Sequence, residues 1–171
     1  MPKKQRLVEI ERKFLVTSDA YKSQAVKHYE IIQGYLAKGE GRTIRVRIQD
    51  NEAFLTIKGG AVTGDGLRVT GSGLARFEWE KAIDVQDAKA LLQLALPGMI
   101  EKTRWIVPCK GERLKVKGER ELFWEVDEFH GRLEGRTLAE IELDYEDQAF
   151  LKPDFIGEEV TGQKEYYNAN M

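Results

Sequence analysis

Glu9, Glu11 and Lys13 occupy alternate positions of the stretch VEIERKFLV. In a β-strand, alternate side chains share one face and stand about 7 Å apart. Such a row is either a solvated face or one wall of a charged site. The spacing recurs along the chain. Thr43, Arg45 and Arg47 alternate with Ile44, Val46 and Ile48. Arg76, Glu78 and Glu80 alternate with Phe77 and Trp79, and Glu140, Glu142 and Asp144 with Ile141, Leu143 and Tyr145. Shorter rows hold Thr56 with Lys58, Lys102 with Arg104, and Glu125 with Asp127.

An ordinary half-buried sheet would turn these charges to water and its apolar face to the core. Solvated faces usually interleave signs, however, because like charges side by side repel. Here carboxylates crowd the first and last strands, and bases the third, fourth and sixth. If the first and last strands adjoin in a closed barrel, Glu9, Glu11, Glu140 and Glu142 form one acidic cluster, which a cation would relieve. Hard carboxylate oxygens match Mg²⁺ or Mn²⁺, and rows of Lys and Arg match phosphate oxygens. A site with both fits a metal-bound polyphosphate. No GxxxxGK[ST] loop is present, so a helix N-terminus does not cradle the phosphates.

The elements that must position these residues follow from apolar alternation and turn residues. Strands are expected over 6–16, 29–37, 42–49, 53–58, 74–84, 99–109, 113–117, 122–130 and 137–145. Helices are expected over 19–26, capped by Ser18, over 85–95, near 146–152 and near 161–168. The glycine-rich stretch 59–73 reads as a mobile loop, and PDFIG as a turn. About eight strands in hairpin order, with few helices, predict a mainly β (α+β) single domain over 1–171. Its architecture would be an eight-stranded antiparallel closed barrel, charged inside and apolar outside under the helices.

The 171 residues suffice for a substantial core. With 27 Lys+Arg against 29 Asp+Glu, the net charge of −2 gives no general attraction to nucleic acid or an anionic membrane. Cys109 is the only cysteine, so no intrachain disulfide forms, and a cytoplasmic location is expected. No run approaches the ~18 apolar residues of a membrane span. His28 and His130 lack ligand spacing, and Cys109 has no neighbouring base. Apolar outer strands would accept cover from a second copy, so a homodimer is compatible with the pattern.

EIERKF resembles the ExExK signature of the CYTH domain, the triphosphate tunnel metalloenzyme superfamily. QGYL at 33–36, RTIRVRI, LTIKG, RFEWE, EKTRW, WEVDEF, AEIELD and GEEVTGQKEYYN resemble further blocks of that family, in its order. The resemblance implies an eight-stranded barrel whose tunnel binds a triphosphate with Mg²⁺ or Mn²⁺. It assigns Lys13, Arg45, Arg47, Lys58, Arg76, Lys102 and Arg104 to phosphate, and Lys164 to a segment that closes over the substrate. It assigns Glu9, Glu11, Glu140 and Glu142 to metal, with Glu78 and Glu80 as further ligands. Lys13, Lys102, Glu11 and Glu142 would carry the chemistry. Gln163 and Glu165 depart from the expected acidic and basic residues, which bears on the closing segment rather than on the tunnel. The expected reaction is metal-dependent hydrolysis of a small triphosphate, with inorganic tripolyphosphate favoured. Within the family the alternatives are a class IV adenylate cyclase and a thiamine triphosphatase, for which Tyr35, Trp105 or Trp124 would stack on the organic group. Outside the enzymes, the alternatives are a polyphosphate- or nucleotide-binding module and an apolar barrel carrying small lipids.

Overall fold

A computed structural model describes residues 7–61, 75–110 and 120–171. The elements run β1 (Val8–Val16), α1 (Tyr21–Gln24), β2 (Lys27–Gly39), β3 (Arg42–Gln49), β4 (Glu52–Ala61), β5 (Ala75–Ile83), α2 (Val85–Leu92), β6 (Ile100–Pro108), β7 (Phe123–Phe129), β8 (Thr137–Leu143) and β9 (Ile156–Glu159). All strand pairs are antiparallel, in the order β5-β4-β3-β2-β6-β7-β8-β1, and β1 pairs back onto β5 to close an eight-stranded barrel. The first and last barrel strands do adjoin. β5 takes one edge of β1 at Val8–Ile10, and β9 takes the same edge at Phe14–Val16.

Alternation sends the apolar rows outward. Phe14, Trp124, Val126, Ala139 and Ile141 lie on the barrel's outer surface, buried beneath Phe150 and Phe155. Phe14 meets Trp124 edge to face at 5.3 Å. On the opposite wall, α2 covers Val46 and Ala53. Asp84 caps that helix, accepting from the Gln86 and Asp87 amides. Gly34 of β2 permits the close approach, since a Cβ there would stand 2.8 Å from the Ala95 Cβ. A third cluster, Ile100, Phe129 and Leu138, lies inside one end of the barrel, where Leu15, Tyr166 and Met171 pack against it.

The helices are shorter than the periodicity predicts. α1 is a single turn whose N-cap is Ala20, not Ser18; the Ser18 hydroxyl only reaches the Ala20 amide at 3.4 Å. The acidic stretch 146–152 forms a turn at 146–147 followed by irregular chain, which lays Phe150 across the outer apolar face. PDFIG leads directly into strand β9, and 161–168 resolves into two 3₁₀ turns, Lys164–Tyr166 and Asn168–Asn170. β4 continues through Gly59 and Gly60 to Ala61. The rest of the glycine-rich stretch and the strand expected at 113–117 lie outside the described residues.

Candidate active site

Closure of the barrel brings the charged rows around one cavity of about 200 Å³. That is below the roughly 300–1,000 Å³ of sites for drug-sized ligands, and it suits a small, densely charged molecule. Each strand delivers its part in register. β1 gives Glu9, Glu11 and Lys13, which face Arg76, Glu142 and Glu140 respectively. β3 gives Thr43, Arg45 and Arg47, β4 gives Lys58, and β5 gives Arg76, Glu78 and Glu80. Arg104 of β6, Glu125 of β7 and Glu140 and Glu142 of β8 complete the walls. The six cations and seven carboxylates nearly cancel, so the lumen is a mosaic rather than a basic funnel.

Pairing follows the sign sorting. Lys58 Nζ donates to Glu9 Oε2 at 2.6 Å and stands 3.1 Å from Glu78. Lys13 donates to Glu140 and lies 3.6 Å from Glu11. Arg104 holds Asp127 with two bonds of 2.7 Å, donates to Glu125 and reaches Glu140 at 3.4 Å. These cations hold the Glu140 carboxyl well below its ordinary range despite burial. The same lysine's ammonium is held above its own range.

Two groups are not balanced in this way. Burial, then the nearby Glu140 charge, pushes the Glu11 carboxyl up to about 8. Burial likewise raises Glu142, its cross-strand partner, which is half exposed and pairs with Arg120 at 3.2 Å. On the opposite wall the guanidinium groups are poorly matched by anions. Arg45 reaches Thr56 at 3.2 Å and Glu80 at 3.7 Å, but its buried Nε has no hydrogen-bond acceptor among the described residues. Among the described residues Arg47 donates to the Gln33 amide oxygen alone, at 3.3 Å. Desolvation, then repulsion from Arg45 and Arg104, lowers it to about 10. The cavity thus presents under-neutralised carboxylates on β1 and β8 and under-partnered guanidinium groups on β3.

Of the residues expected from sequence, Lys13, Arg45, Arg47, Lys58, Arg76, Arg104, Glu9, Glu11, Glu78, Glu80, Glu140 and Glu142 all line this cavity. Lys102 does not. Its ammonium is fully buried behind the wall, 2.6 Å from Asp127 and 3.1 Å from Asn168 Oδ1. Lys164 is also outside: it is exposed on a 3₁₀ turn. Tyr167, Asn168 and Ala169 line the cavity where that lysine was expected. The carboxylates do not form a ready-made cage either. Among the described residues, no group of three or more His, Cys, Asp or Glu is placed to hold a metal ion, since Glu9, Glu78 and Glu140 are already engaged by lysines.

The sequence pattern underrated Asp127, the most buried carboxylate of the site, and did not single out Gln33, Tyr167 or Asn168, whereas Tyr35, expected as a stacking aromatic, does line the cavity. Gln33 and Tyr35 share the inner face of β2 with Ile31, a row whose mixed character concealed its direction. Tyr167 and Asn168 lie in an irregular tail where no period reveals a facing side. Trp105 and Trp124 pack outside the barrel and are not available to a ligand in the lumen.

Comparison with known proteins agrees with this architecture. The CYTH domain description matches residues 7–170. The chain is 40% identical over 164 residues to an inorganic triphosphatase of Acetivibrio thermocellus, covering 95% of this chain and 92% of that one. It is 33% identical over 165 residues to an inorganic triphosphatase of Nitrosomonas europaea, covering 95% of each. A solved structure of an inorganic triphosphatase superposes with a TM-score of 0.57 at 32% identity, again covering 95% of each chain. A barrel closed by β1 on β5, with a lumen lined by alternating Lys, Arg and Glu, defines the class. The chain belongs to the CYTH domain family.

Proposed function

We propose that this protein hydrolyses inorganic tripolyphosphate in the barrel lumen. The observation that carries the reading is the pairing of under-met demands across one small cavity: Arg47 faces an amide and Arg45 only a carboxylate 3.7 Å away, while Glu11 has a lysine committed elsewhere and Glu142 a half-exposed arginine. A triphosphate chelating a divalent metal supplies both together. A nearly neutral lumen also favours an anion that arrives with its own cations over a bare one. The relatives named inorganic triphosphatase support the same substrate class.

The donor set fits Mg²⁺ or Mn²⁺. Mg²⁺ is typically bound by one or two carboxylates together with substrate phosphates and water, rather than by an all-protein cage. Glu11 and Glu142, opposite each other across β1 and β8, would hold such an ion, with Glu9, Glu78, Glu80 and Glu140 around them. Held there, such a metal would supply charge neutralisation for the phosphates and would make water a stronger nucleophile.

The chain's own residues do the remainder. Arg45, Arg47, Arg76 and Lys58 bind the non-bridging oxygens, and the planar guanidinium groups fix their orientation. Lys13 and Arg104 are held rigid by Glu140 and Asp127, so they neutralise developing charge without reorganising. Lys102 adds positive charge from behind the wall. Water attacks a terminal phosphorus, one bridging P–O bond breaks, and orthophosphate and pyrophosphate leave. The apolar cluster of Ile100, Phe129 and Leu138 closes one end of the lumen to bulk water.

The test is phosphate release from tripolyphosphate, ATP and thiamine triphosphate side by side, with Mg²⁺, Mn²⁺ or chelator. Release from tripolyphosphate that chelator abolishes supports the reading. Faster release from either of the other two overturns the choice of substrate. No release from any of the three, with cyclic AMP in the ATP sample, makes the protein a cyclase.

A further inference from the structure

The C-terminal segment crosses one end of the barrel. It starts at β1, where the Val160 amide donates to the Lys13 carbonyl and the Lys13 amide donates to Thr161 Oγ1 at 2.9 Å. It ends beyond β6, where Arg132 donates to the Met171 carbonyl at 3.1 Å and the Gly98 carbonyl at 2.9 Å. Between these anchors, Asn168 enters the cavity wall in front of Lys102.

The orientation of the Asn168 amide is fixed by chemistry along two routes. Arg47 is a donor only, so the Gln33 atom at 3.3 Å from its Nε must be oxygen. The Gln33 NH₂ is then turned toward Asn168, 3.5 Å away, and needs an oxygen there. Independently, the Lys102 ammonium at 3.1 Å also needs an oxygen. Both routes assign Oδ1 to the barrel wall. The Asn168 Nδ2 is left with two hydrogens and no acceptor among the described residues, on a side chain that lines the cavity.

We propose that Asn168 is a phosphate-binding residue at the closed end of the cavity, donating both Nδ2 hydrogens to a terminal phosphate group. This deepens the tripolyphosphatase reading and rests on it. Lys102, which does not itself reach the cavity, acts through this amide: its Nζ donates to Oδ1 and, in the protonated form that a bound phosphate favours, makes Nδ2 a stronger donor. Arg47 and Gln33 polarise the same oxygen from the other side. The amide thereby passes the pull of buried cations to the ligand while keeping them out of its reach. An asparagine suits the position because it accepts and donates at once; an isosteric carboxylate accepts only.

The experiment measures KM and kcat for tripolyphosphate with Mg²⁺ in wild type, N168A and N168D. In parallel, the shift in melting temperature that tripolyphosphate produces is measured in metal-free protein. The expected result is a KM about tenfold higher for N168A, the scale of one charge-assisted hydrogen bond, with kcat within about threefold and a smaller ligand-induced shift. N168D, though isosteric, is expected to be worse than N168A in both readouts, because it offers no donor and sets a carboxylate against phosphate. A merely structural role predicts the opposite order, with the isostere milder. An unchanged or lower KM in N168A, or N168D milder than N168A, overturns the assignment while leaving the triphosphatase reading intact. Wild-type protein that neither hydrolyses tripolyphosphate nor is stabilised by it overturns that reading, and this inference with it.

Discussion

Lys102 Nζ and Asp127 Oδ2 stand 2.6 Å apart with no more than 1% of either side chain exposed. They lie on neighbouring strands, and Asp127 is shared, since it also takes both inner N–H groups of Arg104. One carboxylate therefore neutralises two buried cations, and both keep it ionised, below its ordinary range. Removing it leaves two charges with poor compensation in a place water barely reaches. D127A is expected to destabilise the fold by about 3–5 kcal/mol, measured by urea denaturation. A loss under about 1 kcal/mol would show that the pair relaxes to solvent and does not organise the wall.

The same sharing leaves Lys102 short of negative charge. Burial, then the Arg104 and Arg47 charges, outweigh Asp127 and bring the ammonium down to about 7. Between that value and the ordinary lysine range, the unfolded chain binds a proton that the folded chain does not. Stability should therefore rise with pH above about 7, by up to about 1.4 kcal/mol per unit, and level off near the unfolded lysine value. K102M should flatten that slope. Binding a triphosphate nearby should also restore the proton, so calorimetry near pH 8 in buffers of different ionisation heat should show proton uptake that K102M lacks. Equal uptake in both proteins would place the titration elsewhere.

These residues also show where the sequence was readable. The barrel and its charged lumen follow from period-two alternation, because a strand must put Glu9, Glu11 and Lys13 on one side whatever its neighbours do. The direction of that side was readable only because the signs segregate by strand. Depth was not. Lys102 and Arg104 alternate alike, yet the barrel's end closes over the first and leaves the second in the cavity. Nor were the tail contacts visible: Asn168 meets Lys102 across 66 positions of chain, through irregular backbone that obeys no period. The helix expected over 146–152 failed because packing of Phe150 against Phe14 and Trp124 overrides its acidic helical composition.

Arg47 exposes a trade between stability and function. Its guanidinium is desolvated and repelled by Arg45 and Arg104, with the Gln33 amide as its hydrogen-bond partner. A group so placed strains the empty protein and becomes favourable only when an anion arrives. R47M keeps the stem's length and removes the charge. It is expected to stabilise the ligand-free fold by about 1 kcal/mol, in line with replacements of buried ions by apolar side chains. Tripolyphosphate turnover should fall at least about a hundredfold, the scale of losing an electrostatic donor to the reacting group. Thermal melting and initial rates test the two halves separately. A destabilised R47M with intact turnover would make Arg47 a structural residue.

Glu11 and Glu142 face each other across β1 and β8, and burial raises both carboxyls. Neither has the close lysine that holds Glu9 or Glu140: the ammonium beside Glu11 is 3.6 Å away and is committed to Glu140. A carboxylate kept in this state disfavours the empty site and favours a cation. The neutral isosteres E11Q and E142Q should therefore leave the metal-free fold as stable or more so, within about 1 kcal/mol. Each should reduce metal-dependent phosphate release by a hundredfold or more, a few kcal/mol of lost charge stabilisation. The variants should also lose the rise in melting temperature that Mn²⁺ with tripolyphosphate gives the parent protein. E80Q is the internal control, because Glu80 already receives the Thr56 hydroxyl at 2.8 Å and lies within 3.7 Å of Arg45. It should weaken phosphate binding through Arg45 more than it weakens metal dependence. If E11Q and E142Q both retain turnover while E80Q loses it, the assignment of the metal to Glu11 and Glu142 is overturned in favour of Glu80.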